Sequence, residues 1–332
     1  MKLARRDVLA QGVGMGLSLA AGTRVYAQAI SPVPIKIART KVLDIGYHES
    51  GPATGFPVFL LHGFPDDAHA YDGVAPILAG AGFRAIAVYL RGYGPTRFLD
   101  AATPRMAEQA ALAQDIIDLA DALKIKRFAV AGFDWGGRAG LVAAALNPAR
   151  VRAVVQMSGY TIQNTVTPGA PNFPPGSLLW WWPWYYSTDD GRRAFKAVGK
   201  GLCKLFWYDL SPTWHFSHAT YELTAASFDN PDFVDCVIHN YRHRSWIAPG
   251  EARFLEVEKK LAERPKVDVP TVLLYGGDDG TGRAAADVTP LEREKFPKLV
   301  ARRIIEGAGH FLPHEKPAEV AAGILESLKA TA

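Results

Sequence analysis

The sequence predicts an α/β protein, a mostly parallel, doubly wound sheet interrupted by a mainly helical insertion. Three observations lead there. Short apolar runs ending in glycine recur through the first half of the chain, and similar runs return near its end. A strongly periodic helical stretch separates two of them. Between the two groups lies an aromatic-rich region that fits neither pattern. Continuous apolar runs suit strands buried on both faces of a parallel sheet. Strand–helix–strand alternation with right-handed crossovers winds into such a sheet.

The first runs are PVFLLHG (57–63), FRAIAVYLRG (83–92), RFAVAGF (127–133) and VRAVVQMSG (151–159). AEQAALAQDIIDLADALK (107–124) carries apolar residues at helical spacing, which puts Asp115, Asp118 and Asp121 on its polar side. The pattern breaks from about Val166 to Pro265, where six of the eight tryptophans fall between 180 and 214. VPTVLLYGGDD (269–279) and LVARRIIEG (299–307) resume the strands, and PAEVAAGILESLKA (317–330) reads as a closing helix. The expected division is a sheet domain from 30–165 and 266–332, with a helical insertion at 166–265. No basic residues flank the tryptophan run, so it suits a packed apolar lid better than a base-stacking platform.

At 332 residues and 48% hydrophobic, the chain can bury a large core. Two cysteines, Cys203 and Cys236, are too few for a disulfide scaffold, and buried free thiols are the favoured reading over one bridge. The N-terminus is distinctive. Arg5 and Arg6 precede a mildly apolar run, VLAQGVGMGLSLAAG, and Ala27-Gln28-Ala29 follows as an A-x-A cleavage pattern. Residues 1–29 therefore read as a twin-arginine signal peptide, with a periplasmic or secreted product. The run is about 15 residues, short of the ~20 needed to span a bilayer, so no stable membrane anchor is expected. The leader carries Lys2, Arg5, Arg6 and Arg24 against Asp7, a net of +3 out of the chain's +4. What remains is nearly neutral and has no basic stripe, which argues against a nucleic-acid partner.

The chemistry centres on AGFDWGG (131–137), which has the outline of a nucleophile elbow with Asp134 in place of the usual serine. It follows an apolar strand and opens a helix, as an elbow requires. A helix-capping aspartate would look the same in this window. Distant segments shift the balance. LLHGFP (60–65) ends a strand where the backbone N–H of Phe64, with that of Trp135, can form an oxyanion hole. LYGGDDG (274–280) presents Asp278 and Asp279 at a strand end, and GAGHFLPHEKP (307–317) places His310 in a turn after the next strand. Nucleophile, acid and histidine follow in order, each where open α/β sheets bind ligands.

With HGFP, RGYG (91–94), GFDWGG and GAGH in place, the chain resembles an α/β-hydrolase of the aspartate-nucleophile branch, which includes epoxide hydrolases and haloalkane dehalogenases. The resemblance covers the chain after the leader and makes the insertion a cap domain. It implies Asp134 as nucleophile, His310 as general base, and Asp279 rather than Asp278 as the acid, three residues after Gly276. Phe64 and Trp135 become the oxyanion donors, and His62 is structural. A carboxylate attacks saturated carbon without needing a base. The ester so formed is cleaved by water that His310 activates.

The leaving group separates the branch members. Epoxide hydrolases protonate the opening oxygen with two cap tyrosines. Tyr241 matches the second, whereas the first position falls on Trp182, with Tyr185 and Tyr186 nearby. Haloalkane dehalogenases hold halide with two N–H donors. Trp135 matches one; the asparagine that often supplies the other is Phe64 here, and Trp184 could substitute. Arg138 matches one arginine of fluoroacetate-type dehalogenases, but an exposed Arg138 pairing with a surface carboxylate is expected. The leading expectation is an epoxide hydrolase without cofactor or metal, taking an apolar small molecule and water. A haloalkane or haloacid dehalogenase is the alternative, and a non-catalytic binding protein of the same fold the third reading.

Overall fold

The computed structural model describes residues 33–169 and 180–331. The leader at 1–29 and the start of the aromatic insertion, 170–179, lie outside these residues. The sheet comprises β1 (Ile35–Arg39), β2 (Leu43–Ser50), β3 (Pro57–Leu61), β4 (Arg84–Val88), β5 (Arg97–Phe98), β6 (Phe128–Phe133), β7 (Val151–Met157), β8 (Thr271–Gly276) and β9 (Leu299–Ile305). Their order is β1-β2-β4-β3-β6-β7-β8-β9, with β5 on β2. From β4 across to β9 every pairing is parallel, while β2 runs antiparallel to β1, β4 and β5. The antiparallel strands β1 and β2 were not legible as apolar runs, because β1 is an exposed edge and β2 is interrupted by polar residues.

The topology sets the position of the site. The chain leaves β3 for β4 on one side and later returns through β6 on the other. The carboxyl ends of β3 and β6 therefore adjoin at a topological switch point, where open sheets leave a crevice. Every residue of β6 is buried, as expected for a strand covered on both faces. Helices α1 (Ala75–Gly80), α2 (Gln109–Ala122) and α3 (Asp134–Leu146) follow β3, β5 and β6; α2 packs on α3.

The three aspartates of α2 do not share a solvent face. Asp115 and Asp118 are buried and only Asp121 is exposed. Asp115 is answered by Arg91 of RGYG, whose fully buried guanidinium donates from Nη2 to Asp115 Oδ1 at 2.6 Å and from Nε to Asp115 Oδ2 at 2.7 Å, while Asp118 accepts from Gln114 Nε2 at 2.8 Å. The bidentate Arg91–Asp115 pair offsets much of the desolvation that a lone carboxylate would bear in full, although burial still leaves the Asp115 pKa raised.

Between β7 and β8 the chain builds α4 (Asp189–Leu210), α5 (His218–Ala225), α6 (Phe233–Arg244) and α7 (Leu255–Ala262). Thr188 caps α4 by accepting from Gly191 N–H, and α4 kinks at Val198. The insertion is held to the sheet by aromatic burial. Trp207, fully buried, packs on Phe311 and donates from Nε1 to the carbonyl of Pro65 at 2.8 Å. Cys203 and Cys236 are both buried free thiols. After β9, α8 (Pro317–Lys329) closes the chain against α1, β7 and β8. Among the described residues no helix is long and apolar enough to cross a membrane.

Candidate active site

Asp134 follows the last residue of β6 and is the first of α3, with φ at +47°. A non-glycine residue in the left-handed region is strained by roughly 1–3 kcal/mol, and such strain concentrates at functional sites. The turn closes because Gly136 has no side chain: a Cβ there would lie 2.3 Å from the carbonyl oxygens of Leu61 and His62. Gly63 does the same from β3, where a Cβ would meet Asp134 Cβ at 2.4 Å. This close approach lets the Phe64 N–H donate to Asp134 Oδ1 at 2.9 Å.

His310 comes from the turn after β9. Its Nδ1 lies 3.0 Å from Asp279 Oδ2 and 3.3 Å from Oδ1, the geometry of an Nδ1–H donor. Its Nε2 faces Asp134 Oδ2 at 3.9 Å. Burial works against the charged imidazole, but Asp279, and then Asp134, outweigh it and hold the His310 pKa up at about 9. Burial likewise opposes ionisation of Asp279, yet His310 and two hydrogen bonds from Thr281 to Oδ1 keep its carboxyl below the ordinary range. Asp278 points elsewhere, with Thr213 Oγ1 3.4 Å from its Oδ2. His62 takes no part: it accepts from Leu90 N–H at 3.1 Å, and burial lowers its pKa to about 4.

An aspartate elbow, an N–H on one of its oxygens and a His–Asp pair facing the other thus converge on one cavity. The family model described as alpha/beta hydrolase fold matches residues 57–317, most of the chain. The chain belongs to the α/β-hydrolase family. An epoxide hydrolase from Caballeronia sordidicola is 36% identical over 329 aligned positions, spanning 86% of this chain and 91% of the relative. Epoxide hydrolase 2 from Siraitia grosvenorii is 33% identical, over 86% of this chain and 95% of its own. Among solved structures, a Klebsiella pneumoniae protein provisionally named an epoxide hydrolase superposes with a TM-score of 0.84 at 40% identity, covering 89% of this chain and 97% of its own.

In this α/β-hydrolase the cavity measures about 230 Å³. Asp134, Asp279, His310, Phe64, Tyr241 and Trp182 all line it. Trp135 lies directly behind that wall, 1% exposed, stacked on Phe64 at 5.6 Å and edge-on to Tyr241 at 5.3 Å. The Tyr241 pKa is pushed up by burial and then by the charge of Asp134. The indole N–H groups of Trp182 and Trp135 pull against that rise. Neither indole closes a full hydrogen bond, and both nitrogens otherwise lack a partner among the described residues.

Three cap residues singled out in the sequence do not reach the cavity. The one-turn helix Trp182–Tyr185 turns Trp182 inward, which leaves Trp184 43% exposed on its outer side. Tyr185 packs on Trp181, away from the cavity. Tyr186 is buried behind the wall, between Phe195 and Phe64, with its hydroxyl unpartnered among the described residues. Arg138 corrects the sequence expectation outright: it is 7% exposed, lines the cavity and pairs with no surface carboxylate among the described residues. Its place one turn along α3 from Asp134, on the same side of the helix, turns it inward. Arg244, at the end of α6, also lines the cavity and had no sequence signal beyond its spacing from Tyr241.

His310 is held from the cap side. His310 N–H donates to Leu210 O at 3.1 Å and to Ser211 Oγ at 2.8 Å, both just at the end of α4. Ser211 Oγ–H in turn donates to Glu315 at 2.7 Å, and Glu315 accepts from Gly309 N–H at 2.8 Å. Among the described residues no cluster of three metal-binding side chains forms.

Proposed function

We propose that this α/β-hydrolase is an epoxide hydrolase working through an ester on Asp134. The observation that carries the reading is the division of labour on one carboxylate. Oδ1 is held by the Phe64 N–H, and Oδ2 is left facing the cavity and His310. In the first step Oδ2 attacks an epoxide carbon, the carbon–oxygen bond breaks, and Tyr241 gives its proton to the departing oxygen. In the second, His310 takes a proton from water while the water oxygen attacks Asp134 Cγ, and the Phe64 N–H carries the charge that develops on Oδ1. Collapse expels the second oxygen of the vicinal diol, which takes up the proton of the Asp134 carboxyl as the carboxylate re-forms, and the proton held on His310 restores the Tyr241 hydroxyl. The names of the relatives favour this chemistry over other reactions of the fold.

One observation favours a second reading. Two indole N–H groups, of Trp135 and Trp182, converge near Tyr241 without hydrogen bonds of their own among the described residues. Such a pair could hold a departing halide. The test is direct: the purified protein is offered epoxides and bromoalkanes or bromoacids in parallel, and diol formation and bromide release are measured. Diol without bromide supports the epoxide reading; bromide without diol replaces it with dehalogenation.

We also propose export by the twin-arginine route. It rests on Arg5-Arg6, the short apolar run and Ala27-Gln28-Ala29 in the sequence.

A further inference from the structure

Two guanidinium groups face the catalytic cavity without a carboxylate to answer them. Arg138 Nε–H donates to the carbonyl of Thr161 at 2.9 Å, and no carboxylate pairs with it among the described residues. Arg244 makes no hydrogen bond or ion pair among the described residues. Its guanidinium lies 5.5 Å from the ring centre of Trp180 and 5.9 Å from that of Tyr241. Aromatic faces hold a guanidinium in place while leaving its in-plane N–H donors free. Elsewhere in this molecule buried arginines are answered: Arg91 has Asp115 and Glu251, and Arg302 has Glu292.

The charge balance of the cavity points the same way. Its ionisable lining comprises Asp134 and Asp279 against His310, Arg138 and Arg244. With His310 protonated, three cations face two carboxylates. Burial, and then the like charge of Arg244, lower the Arg138 pKa to about 9, still high enough for it to stay a cation at neutral pH. Burial lowers the Arg244 pKa as well. Two cations lining one buried cavity, with no carboxylate paired to either among the described residues, are costly unless an anion joins them. A second cavity shares Arg138, Arg244, Trp180 and Thr161 with the catalytic one and adds Arg264. An anion entering from that side would meet positive charge before it meets Asp134.

We propose that Arg138 and Arg244 form an anion subsite, and that the substrate carries a carboxylate close to the group that Asp134 attacks. The identity of the attacked group rests on the epoxide reading above; the subsite does not. A cavity of about 230 Å³ lies below the usual range for drug-sized ligands, so the substrate class is a small epoxy acid. The arginines hold the carboxylate, the aromatic wall of Phe64, Trp182 and Phe206 covers the carbon skeleton, and the epoxide is left facing Oδ2.

The test separates the two claims by using one unreactive pair and one reactive pair of probes. Binding of 3-phenylpropanoate and 3-phenylpropanamide to the full protein is measured by calorimetry. Turnover of 3-phenylglycidate and 3-phenylglycidamide is measured by diol formation. Charge-assisted hydrogen bonds from two arginines should make the carboxylate bind roughly ten- to hundred-fold more tightly than the amide. Arg244→Gln and Arg138→Gln should each erase most of that preference, and Arg244→Lys should restore part of it. Arg244 is only half-buried, so its variants report even if Arg138→Gln does not fold. Equal binding of acid and amide by wild type, or an unchanged preference in Arg244→Gln, overturns the subsite. Charge-selective binding with neither glycidate nor glycidamide opened keeps the subsite and overturns the epoxide reading.

Discussion

Asp134 and His310 face each other with 3.9 Å between Oδ2 and Nε2, beyond hydrogen-bonding distance yet close enough for each charge to act on the other. In a serine hydrolase the histidine must touch its nucleophile to remove a proton. A carboxylate has none to remove, so on the proposed mechanism the gap has a use: it keeps His310 off Asp134 and in reach of a water directed at Asp134 Cγ.

This relationship predicts a pH switch between the two steps. In the free enzyme Asp279 and Asp134 hold the His310 pKa up at about 9, so at pH 7 the imidazole is charged and is not a base. Esterification removes the charge of Asp134 and with it part of that support, so the His310 pKa falls and the base is released when it is needed. Asp134→Asn imitates the neutral ester. NMR titration should place the His310 pKa lower in that variant than in wild type, by ~1 unit or more. Equal values would show that the Asp134 charge does not govern the base.

Tyr241 should matter for epoxides and little for halides. An alkoxide needs a proton as it leaves; a bromide does not. Tyr241→Phe should slow epoxide opening by roughly 10²–10⁴-fold, the range for a positioned general acid, and should leave any bromide release nearly intact. Trp182→Phe removes one N–H beside the phenol oxygen and should slow epoxide opening by roughly ten-fold. If Trp182→Phe instead abolishes bromide release while diol formation persists, the indole pair serves a halide.

On the proposed mechanism Ser211 should position the base. Ser211→Ala removes one of two acceptors from the N–H groups of His310 and Phe311, which keep Leu210 O and Glu315 Oε1, and takes one donor from Glu315, which keeps the N–H groups of Gly309 and Phe311. Because no N–H is left without an acceptor, the cost should be roughly 0.5–1.5 kcal/mol of stability, read from denaturant unfolding. Because the loop carrying His310 loosens, hydrolysis of the ester should slow more than its formation. Steady-state samples should therefore hold more alkylated enzyme than wild type, a change that lost stability alone does not produce.

Export is checked at the protein's own N-terminus. Sequencing of the native protein should find a chain starting near Ile30 in the periplasm or medium, and Arg5→Lys/Arg6→Lys should block its transport. Soluble cytoplasmic protein that keeps Met1, with the double variant behaving like wild type, would refute the signal.

The sheet and the three convergent side chains were readable in the sequence because each is marked by local physics. Buried strands are continuous apolar runs, and Asp134, Asp279 and His310 each sit in a glycine-rich turn directly after one. What was not readable depends on partners far away in sequence. Asp115 looked solvent-facing because the cation it pairs with, Arg91, lies 24 residues earlier. Ser211 gave no sign of supporting His310 across 99 residues. The tryptophan run showed that a lid exists but not which ring faces inward. That depends on how the single turn Trp182–Tyr185 sits, and it puts Trp182 inside and Trp184 outside. Arg138 was misjudged for the complementary reason: arginines are mostly exposed, and only the elbow's geometry turns this one into the cavity.

The central claim is that the substrate becomes bonded to Asp134, and one measurement tests it most directly. His310→Gln is incubated with an epoxide that wild type hydrolyses, and the intact mass is taken, followed by peptide mapping. The protein should gain the full mass of one epoxide on the peptide containing Asp134, and the adduct should persist, because the step that clears it lacks its base. An unmodified His310→Gln protein, an adduct on another residue, or an Asp134→Ala variant that still forms diol would contradict the account.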